Sequence, residues 1–319
     1  MLPGSFLQED IMKKTISIIC AAVLAASALA ACGSGASATT AAQTEPSSAA
    51  QSTAESTAAA AAGSSAAETK TGESTAAGTA TAAVKTATGK FTVGFDQEFP
   101  PMGFVGEDGQ YTGFDLELAK EAASRLGLEF VAQPINWDAK DMELETENID
   151  CIWNGFTMQG REDAYTWVGP YMANEQVFVV NGDSDIKSAA DLKGKAVEVQ
   201  KDSSGLAAIN DPANADLKNS FAQVTEVADY NTALMDLESG ACDAVCMDTI
   251  VAGYQITSTK KNFKILDDAL SKEDYGIGFK KGNTELADAV KGVLEDMKKD
   301  GTLEKISVKW FTKNVITLE

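Results

Sequence analysis

Residues 148–155 read NIDCIWNG, and residues 240–248 read GACDAVCMD. In both passages a helix-like segment leads into a run of apolar residues, and polar residues follow that run. A short apolar run of this kind is typical of a buried strand, and in open α/β sheets ligands bind beyond the carboxyl ends of the strands. The two passages therefore predict two similar α/β units, each with a strand that ends at a binding site.

Strand-like and helix-like segments alternate on both sides of these passages, from Lys90 to the C-terminal region. This alternation predicts parallel sheets covered by helices, and hence the α/β class. Asp115 is expected to cap the first helix. The predicted strands occupy residues 91–95, 149–153, 177–180, 196–200, 244–247 and 275–279, with one more beginning at Phe130. The predicted helices occupy residues 115–125, 189–192, 230–237, 285–299 and 303–311, with two more through Met142 and from Ser203.

The composition excludes several kinds of active site. The 319 residues include no histidine, and 26 Lys and Arg stand against 47 Asp and Glu, for a formal net charge of −21. Without histidine the chain cannot form a Ser-His-Asp or Cys-His nucleophilic site or a histidine-bound zinc site. A surface this acidic repels phosphate backbones, so we expect no nucleic-acid partner. We also expect no cofactor and no metal.

The cysteines predict no disulfide framework. Cys20 and Cys32 lie near the N-terminus, which leaves the odd number Cys151, Cys242 and Cys246 in the remaining chain. Cys242 and Cys246 are expected in one strand, where four residues span about 13 Å, too far for a disulfide. We interpret all three as small, buried apolar side chains.

The N-terminal segment has the features of an export signal. Lys13 and Lys14 precede an apolar run that ends in Leu29-Ala30-Ala31-Cys32, which is too short and wrongly flanked for a spanning helix. The segment resembles the bacterial lipoprotein signal, and this resemblance implies that residues 1–31 are removed and that Cys32 receives the lipid. Residues before Met12 are expected to be an upstream extension. The alternative is an ordinary secretory signal with an incidental cysteine.

Residues 33–88 consist mainly of Ala, Ser, Thr and Gly, and none of them is aromatic. Such a segment cannot form a core, so the sequence predicts a disordered tether over residues 32–88, which includes the lipidated cysteine. A tether of this length spans roughly 40 Å on average. We therefore expect an extracytoplasmic protein that the lipid alone anchors to the cell membrane.

A series of short motifs from Lys90 onward resembles the family 3 extracellular solute-binding proteins, the polar amino-acid receptors of bacterial importers. The resemblance covers essentially the whole predicted folded part, and its strength lies in the order and spacing of motifs that are each weak alone. The motifs are GFD at 94–96, PPMGF at 100–104, GFDLELA at 113–119, IDCIWNGFT at 149–157 with Arg161, PY at 170–171, LKGK at 192–195, DA at 243–244 with Asp248, YGIGF at 275–279 and DGT at 300–302.

The resemblance implies an α/β fold of the periplasmic-binding-protein type II, with two lobes joined by two hinge strands and a ligand cleft between them. Lobe 1 would comprise residues 89–174 and 278–319, and lobe 2 residues 175–277. The implied function is capture of a free polar or cationic amino acid and its delivery to the permease and ATPase subunits of an ABC importer. The resemblance also favours a monomer without catalytic residues.

A free amino acid needs one site for its carboxylate and another for its ammonium group. Arg161 offers a planar fork for a carboxylate, and the family places its carboxylate-binding arginine there, with Thr157 in the same loop. Asp248 matches the aspartate that pairs with the α-ammonium in the family, or it simply caps a helix. Ser203 and Ser204 begin a helix that either attracts the carboxylate or is merely capped by them.

Other residues are candidates for contact with the ligand side chain or backbone. Asp96 falls where family members with polar or cationic ligands place a carboxylate, and Gly155 allows a ligand to approach the backbone closely. Asn154 and Gly155 stand where the family often has serines, which leaves the ligand's side chain open. The candidates are Asp96, Phe99, Asn154, Gly155, Phe156 and Gln200, with Phe104 and Trp137 as further possibilities.

Two other functions compete with transport. Some relatives of this fold are cyclohexadienyl dehydratases, for which Asp96 or Glu98 would have to serve as the acid or base. Others are lytic transglycosylases, which need an additional domain that we do not identify in the sequence. Besides such an enzyme, the other competing function is a sensor subunit that presents its ligand-bound form to a membrane receptor.

Overall fold

The computed structural model describes residue 86 and residues 88–319. The predicted signal peptide, the lipidation at Cys32 and nearly all of the predicted tether lie outside these residues. Within the described part of the chain, no helix combines the length and apolarity needed to cross a membrane.

The strands confirm the predicted α/β class and add short strands that the sequence did not indicate. A large mixed sheet contains every strand except β2, β3 and β4, which form a small antiparallel sheet of their own. The strands are β1 Lys90–Phe95, β2 Glu98–Phe99, β3 Gly103–Val105, β4 Tyr111–Thr112, β5 Glu129–Pro134, β6 Cys151–Thr157, β7 Thr166–Asn181, β8 Ala196–Gln200, β9 Gln223–Val227, β10 Ala244–Asp248, β11 Phe263–Ile265 and β12 Ser271–Phe279.

The large sheet consists of two parallel groups of strands with an antiparallel pair between them. Its order is β5-β1-β6-β12-β7-β10-β8-β9, and β11 pairs with β7 outside this path. Strands β5, β1 and β6 run parallel, as do β10, β8 and β9. Strands β12 and β7 are antiparallel to each other, and each joins one of the parallel groups. The long strands β7 and β12 therefore connect the two parallel groups.

Helices cover the sheet wherever the sequence has an apolar stripe at helical spacing. In the longest helix, for example, Leu286, Val290, Val293 and Met297 recur on one side and are buried. The helices are α1 Phe114–Leu126, α2 Lys140–Glu145, α3 Ser204–Asn210, α4 Ala215–Ser220, α5 Tyr230–Ser239, α6 Thr249–Ser258, α7 Thr284–Lys299 and α8 Thr302–Phe311. Of these, α4 and α6 were not predicted from the sequence.

Two local predictions are wrong. Asp115 does not cap α1, because Gly113 occupies the cap position and the Asp115 side chain is fully buried at the second residue of the helix. Cys242 does not lie in a strand with Cys246, because β10 begins only at Ala244. The expectation that Cys151, Cys242 and Cys246 are buried free thiols is confirmed.

Candidate ligand-binding site

A cavity lies where β6, β8 and β10 end. All of the candidate ligand-binding residues except Asp96, Phe156 and Phe104 line the cavity. The lining residues are Phe99, Trp137, Asn154, Gly155, Thr157, Arg161, Gln200, Ser203, Ser204 and Asp248.

Arg161 presents a fixed guanidinium group to the cavity. Its Nη1 donates to the carbonyl oxygen of Thr157 at 3.3 Å, and its Nη2 donates to the carbonyl oxygen of Asp202 at 3.4 Å. The guanidinium carbon also lies 5.1 Å from the ring centre of Phe156, a favourable cation–π position. Among the described residues no carboxylate forms an ion pair with Arg161. Its charge is therefore available to an anionic ligand group.

Asp248 provides the negative charge of the cavity. It is buried, and its Oδ1 accepts from Asn174 Nδ2 at 2.9 Å and from the hydroxyl of Tyr275 at 2.6 Å. Its side chain forms no capping hydrogen bond to α6, although the residue stands just before that helix. Burial, and then the charge of Glu273, raise the pKa of Asp248 well above its usual value. A cationic ligand group would offset both effects.

Two polar atoms of the β6 end lack partners among the described residues. Thr157 Oγ1 and Asn154 Nδ2 are buried without a hydrogen bond, while Asn154 Oδ1 accepts from the backbone N–H of Asp96 at 3.0 Å. Buried polar atoms in native proteins nearly always have a partner, so these two atoms are available to a molecule bound in the cavity. Both residues line the cavity.

The wall formed by β8 and α3 is held by hydrogen bonds within the protein. Ser203 Oγ accepts from the N–H of Leu206 at 3.1 Å and so caps α3, which was one of its two predicted roles. Ser204 Oγ accepts from Gln176 Nε2 at 3.0 Å. Gln200 Nε2 donates to Asp96 Oδ2 at 2.7 Å. Asp96 thus lies behind Gln200 and does not line the cavity, and burial raises its pKa to about 6.

Phe156 packs against residues that line the cavity but does not line it itself. Its ring packs against Trp137, Tyr165 and Trp167 with centre-to-centre distances of 5.0–5.5 Å, and Arg161 lies over it. Trp137, one of the two further possibilities, does line the cavity. Phe104 instead packs against Tyr254 and Trp310.

Asp115 positions the β6 end, a role that the sequence reasoning missed. Its carboxylate accepts from the N–H of Gly155 at 2.6 Å and from the Tyr171 hydroxyl at 2.9 Å. Burial raises the pKa of Asp115 to about 7. The signal was present, because Asp115 shares a helical face with Ala119 and Ala122, where an apolar residue is the norm.

Polar contacts join the two sides of the cavity. Lys201 Nζ lies 2.7 Å from Asp138 Oδ2, and the buried Lys140 pairs with Asp202. Glu98 accepts a hydrogen bond from Asn231. Each of these contacts joins residues that the sequence assigned to different lobes.

Comparison with known proteins identifies the family. Residues 91–313 match the model of the bacterial extracellular solute-binding proteins, family 3. The L-cystine-binding protein TcyJ of Escherichia coli K12 is 33% identical over 233 residues, which cover 71% of this chain and 84% of TcyJ. TcyJ and the two proteins of known structure described next are all named as binding proteins.

Solved structures have the same fold. A substrate-binding protein of an ABC uptake transporter from Streptococcus pneumoniae, with bound histidine, is 34% identical and has a TM-score of 0.70, covering 72% of this chain and 96% of that one. An ancestral arginine-binding protein bound to arginine is 37% identical and has a TM-score of 0.64, covering 70% and 98%. The fold is therefore that of the type II periplasmic binding proteins, and the chain belongs to the family 3 bacterial extracellular solute-binding proteins.

Proposed function

We propose that the protein is the substrate-binding lipoprotein of an amino-acid ABC importer and that it binds a free polar or cationic amino acid. One observation carries the proposal: Arg161, which has no ion-pair partner among the described residues, and the buried Asp248 line the same cavity. A zwitterion brings a carboxylate to the first and an ammonium group to the second. Each charge of the ligand would then meet its opposite.

The headgroup contacts follow from these two charges. The fork of Arg161 suits a carboxylate, and Thr157 Oγ1 adds a hydroxyl that has no other partner among the described residues. Asp248 accepts from the ammonium group at the other end. Because ammonium and carboxylate both lose water in the cavity, fixed partners of opposite charge are needed to offset the cost of desolvation.

The ligand's side chain would extend toward Phe99, Trp137 and Gln200, which supply two aromatic faces and one amide. Asp96 behind Gln200 adds negative charge at that end, which favours a polar or cationic side chain. The names of the relatives point the same way, since they bind cystine, histidine and arginine. We therefore extend to this chain the same group of ligands, with glutamine added.

Two lobes would close over the ligand. We assign residues 89–174 and 278–319 to lobe 1 and residues 175–277 to lobe 2, with β7 and β12 as the connecting strands. The contacts of Lys201 with Asp138 and of Lys140 with Asp202 would form on closure. Since Arg161 and Asp248 belong to different lobes in this division, ligand binds the closed form best and shifts the population toward it.

The export signal and tether place this domain outside the cytoplasm. In our proposal Cys32 carries the lipid, residues 1–31 are removed, and the tether lets a monomeric domain reach the permease, which works with an ATPase. Mass spectrometry of the membrane-bound protein should find an N-terminal Cys32 that carries a lipid, and Cys32→Ser should lack this modification. A processed protein with an unmodified Cys32 would contradict lipid anchoring.

A thermal-shift screen of the full chain against the common amino acids and cystine tests the binding function. We expect one or a few polar or cationic amino acids to raise the melting temperature, and we expect no increase with the apolar ones. No shift with any of them would contradict the proposal. Turnover of prephenate or arogenate by the same preparation would instead favour the dehydratase alternative.

A further inference from the structure

A second carboxylate lies beside the predicted ammonium-binding residue. Asn174 Nδ2 donates both to Asp248 Oδ1 at 2.9 Å and to Glu273 Oε1 at 2.6 Å. Both carboxylate oxygens therefore lie within hydrogen-bond distance of the same nitrogen atom. Glu273 is 5% exposed and Asp248 is 2% exposed, so water screens neither charge well.

Glu273 also holds a second part of the cavity wall. Gln176 Nε2 donates to Glu273 Oε1 at 2.9 Å and to Ser204 Oγ at 3.0 Å. Asp248 and Ser204 both line the cavity, and Glu273 is linked to each of them through one amide. Glu273 is thus placed to orient the ligand-contacting residues from behind, as a positioning residue.

The side chains that the structure shows hydrogen-bonded to this carboxylate pair are all neutral. The hydroxyls of Tyr230 from α5 and Tyr275 from β12 donate to Asp248, at 3.4 and 2.6 Å. The thiol of Cys246 in β10 is nearby, and burial raises its pKa. Among the described residues no lysine or arginine forms an ion pair with either carboxylate.

One further acceptor beside the pair lacks a partner. Gln176 Oε1 is buried and has no hydrogen-bond partner among the described residues. Two buried carboxylates this close strongly disfavour each other's ionised form unless a cation is present. A proton on the pair would remove one negative charge and add one donor.

We propose that Asp248 and Glu273 share one proton when the site is free of ligand, and that the ammonium group of the ligand displaces this proton into solvent. The inference rests on the proposed amino-acid binding. The ligand keeps all the protons of its ammonium group, and the pair becomes a dianion that faces one cation. Binding is therefore coupled to proton release, and Glu273 sets the pH range in which it occurs.

The sign of the pH dependence follows from linkage. Below the pH at which the ligand-free pair loses its proton, each ligand displaces up to one proton, so affinity weakens up to tenfold for each unit by which the pH falls. Above that pH no proton remains to be displaced, and affinity becomes independent of pH. The raised pKa of Asp248 is consistent with this order of events.

Titration calorimetry on the full chain tests the proposal. The amino acid that gives the largest thermal shift is titrated from pH 5.5 to 8, at each pH in buffers of different ionisation enthalpy, and the slope against that enthalpy counts the protons released. We expect release that approaches one proton at low pH and declines as the pH rises. Glu273→Gln should move the midpoint of this decline down by at least one pH unit, because the like charge is gone.

Glu175→Gln is the matched control, since it removes an exposed carboxylate from the neighbouring strand, and its profile should superimpose on that of the wild type. Heat of binding without proton release at any pH would overturn the inference and leave amino-acid binding intact. A Glu273→Gln profile that superimposes on the wild type would also overturn it. If no amino acid binds, the proposed function itself fails. Should Glu273→Gln not fold, the number of protons that the wild type releases still supports or overturns the inference.

Discussion

The hydroxyl of Thr157 illustrates how one residue can serve binding at the expense of stability. It is buried in the cavity wall and has no hydrogen-bond partner among the described residues. An unsatisfied buried polar group costs about 1–3 kcal/mol, and a ligand group that bonds to it recovers part of that cost. The ligand-free protein should therefore be less stable than it would be with an apolar side chain at this position.

Thr157→Val should separate these two effects. We expect the free energy of unfolding of the ligand-free protein to rise by about 1 kcal/mol, because valine has nearly the same shape and no hydroxyl. Ligand binding should weaken about tenfold. Urea unfolding and calorimetric titration measure the two quantities, with Thr225→Val in β9 as a control away from the cavity. Unchanged affinity in Thr157→Val would remove this hydroxyl from the site.

Asp115 predicts how stability changes with pH. Burial raises its pKa from 3.8 to about 7, so the folded state binds more protons than the unfolded state between these values. The free energy of unfolding therefore falls as the pH rises from about 4 to 7. Asp115→Asn cannot ionise and should lack this decrease, which we expect to be on the order of 2–4 kcal/mol. A difference between the two proteins that is the same at pH 4 and pH 7 would contradict this account.

Single residues also mark the limits of prediction from sequence. Arg161, Thr157 and Asp248 were predicted because they match motifs of the family, and Arg161 and Asp248 also stand near the ends of apolar strands. Asp115 and Glu273 were not predicted as site residues, because their importance lies in partners that are distant along the chain. Tyr171 is 56 residues from Asp115, and Asn174 is 99 residues from Glu273. Sequence periodicity predicts which face of a helix or strand a residue occupies, but not which residue from a distant part of the chain packs against that face.

At the scale of elements, the backbone conformation of Gly155 determines the course of the end of strand β6, which lines the cavity. This residue has φ +57°, a conformation that glycine adopts more easily than other residues, and a Cβ there would lie 2.9 Å from Phe99 Cε1 and 3.2 Å from Tyr275. Both the backbone and its surroundings therefore require glycine. A side chain would displace the strand end that bears Thr157.

Gly155→Ala should lower the free energy of unfolding by about 1–3 kcal/mol and weaken ligand binding as well. The matched control is Gly292→Ala in α7, where a Cβ would meet nothing within 4 Å. That change should raise stability by about 0.5–1 kcal/mol, since alanine is the better helix former. Thermal or urea unfolding of both variants checks the prediction. Equal effects of the two substitutions would contradict the role given to Gly155.

The elements that sequence predicted well are the apolar ones. Strands β1, β8 and β10 were found because each is a nearly continuous apolar or alternating run. Strands β2, β4 and β11 have only two or three residues, which is too short for any periodicity. Strand β7 was predicted only over residues 177–180 and extends to Thr166–Asn181, because its first half contains Gly169 and Pro170, which usually indicate turns.

At the scale of the whole molecule, the sheet explains how one cavity receives groups from distant parts of the chain. Strands β6, β8 and β10 all end at the cavity, although β6 belongs to one parallel group of the sheet and β8 and β10 belong to the other, which runs in the opposite direction. Only the antiparallel pair β7 and β12 lies between the groups. Alternation of strands and helices predicted the class, and the motifs predicted the family. The pairing of β7 with β12 depends on contacts between residues about one hundred positions apart, which local pattern does not reveal.

In our proposal this arrangement places Arg161 and Asp248 at opposite ends of the ligand. Arg161 follows β6 in one parallel group, and Asp248 ends β10 in the other. In our account a free amino acid spans the distance between them and holds the two groups together. Removal of the Arg161 guanidinium from the protein, or of the carboxylate from the ligand, should therefore break the same contact.

A double-mutant cycle between Arg161 and the ligand's carboxylate tests this account most directly. Calorimetry on the full chain compares the preferred amino acid with its carboxamide, in the wild type and in Arg161→Ala, with Arg125→Ala as the control for loss of an arginine outside the cavity. We predict that each single change weakens binding about 100-fold or more, and that the second change adds little once the first is made. Losses that simply multiply, or an Arg161→Ala protein that binds the free amino acid as tightly as the wild type, would contradict the account.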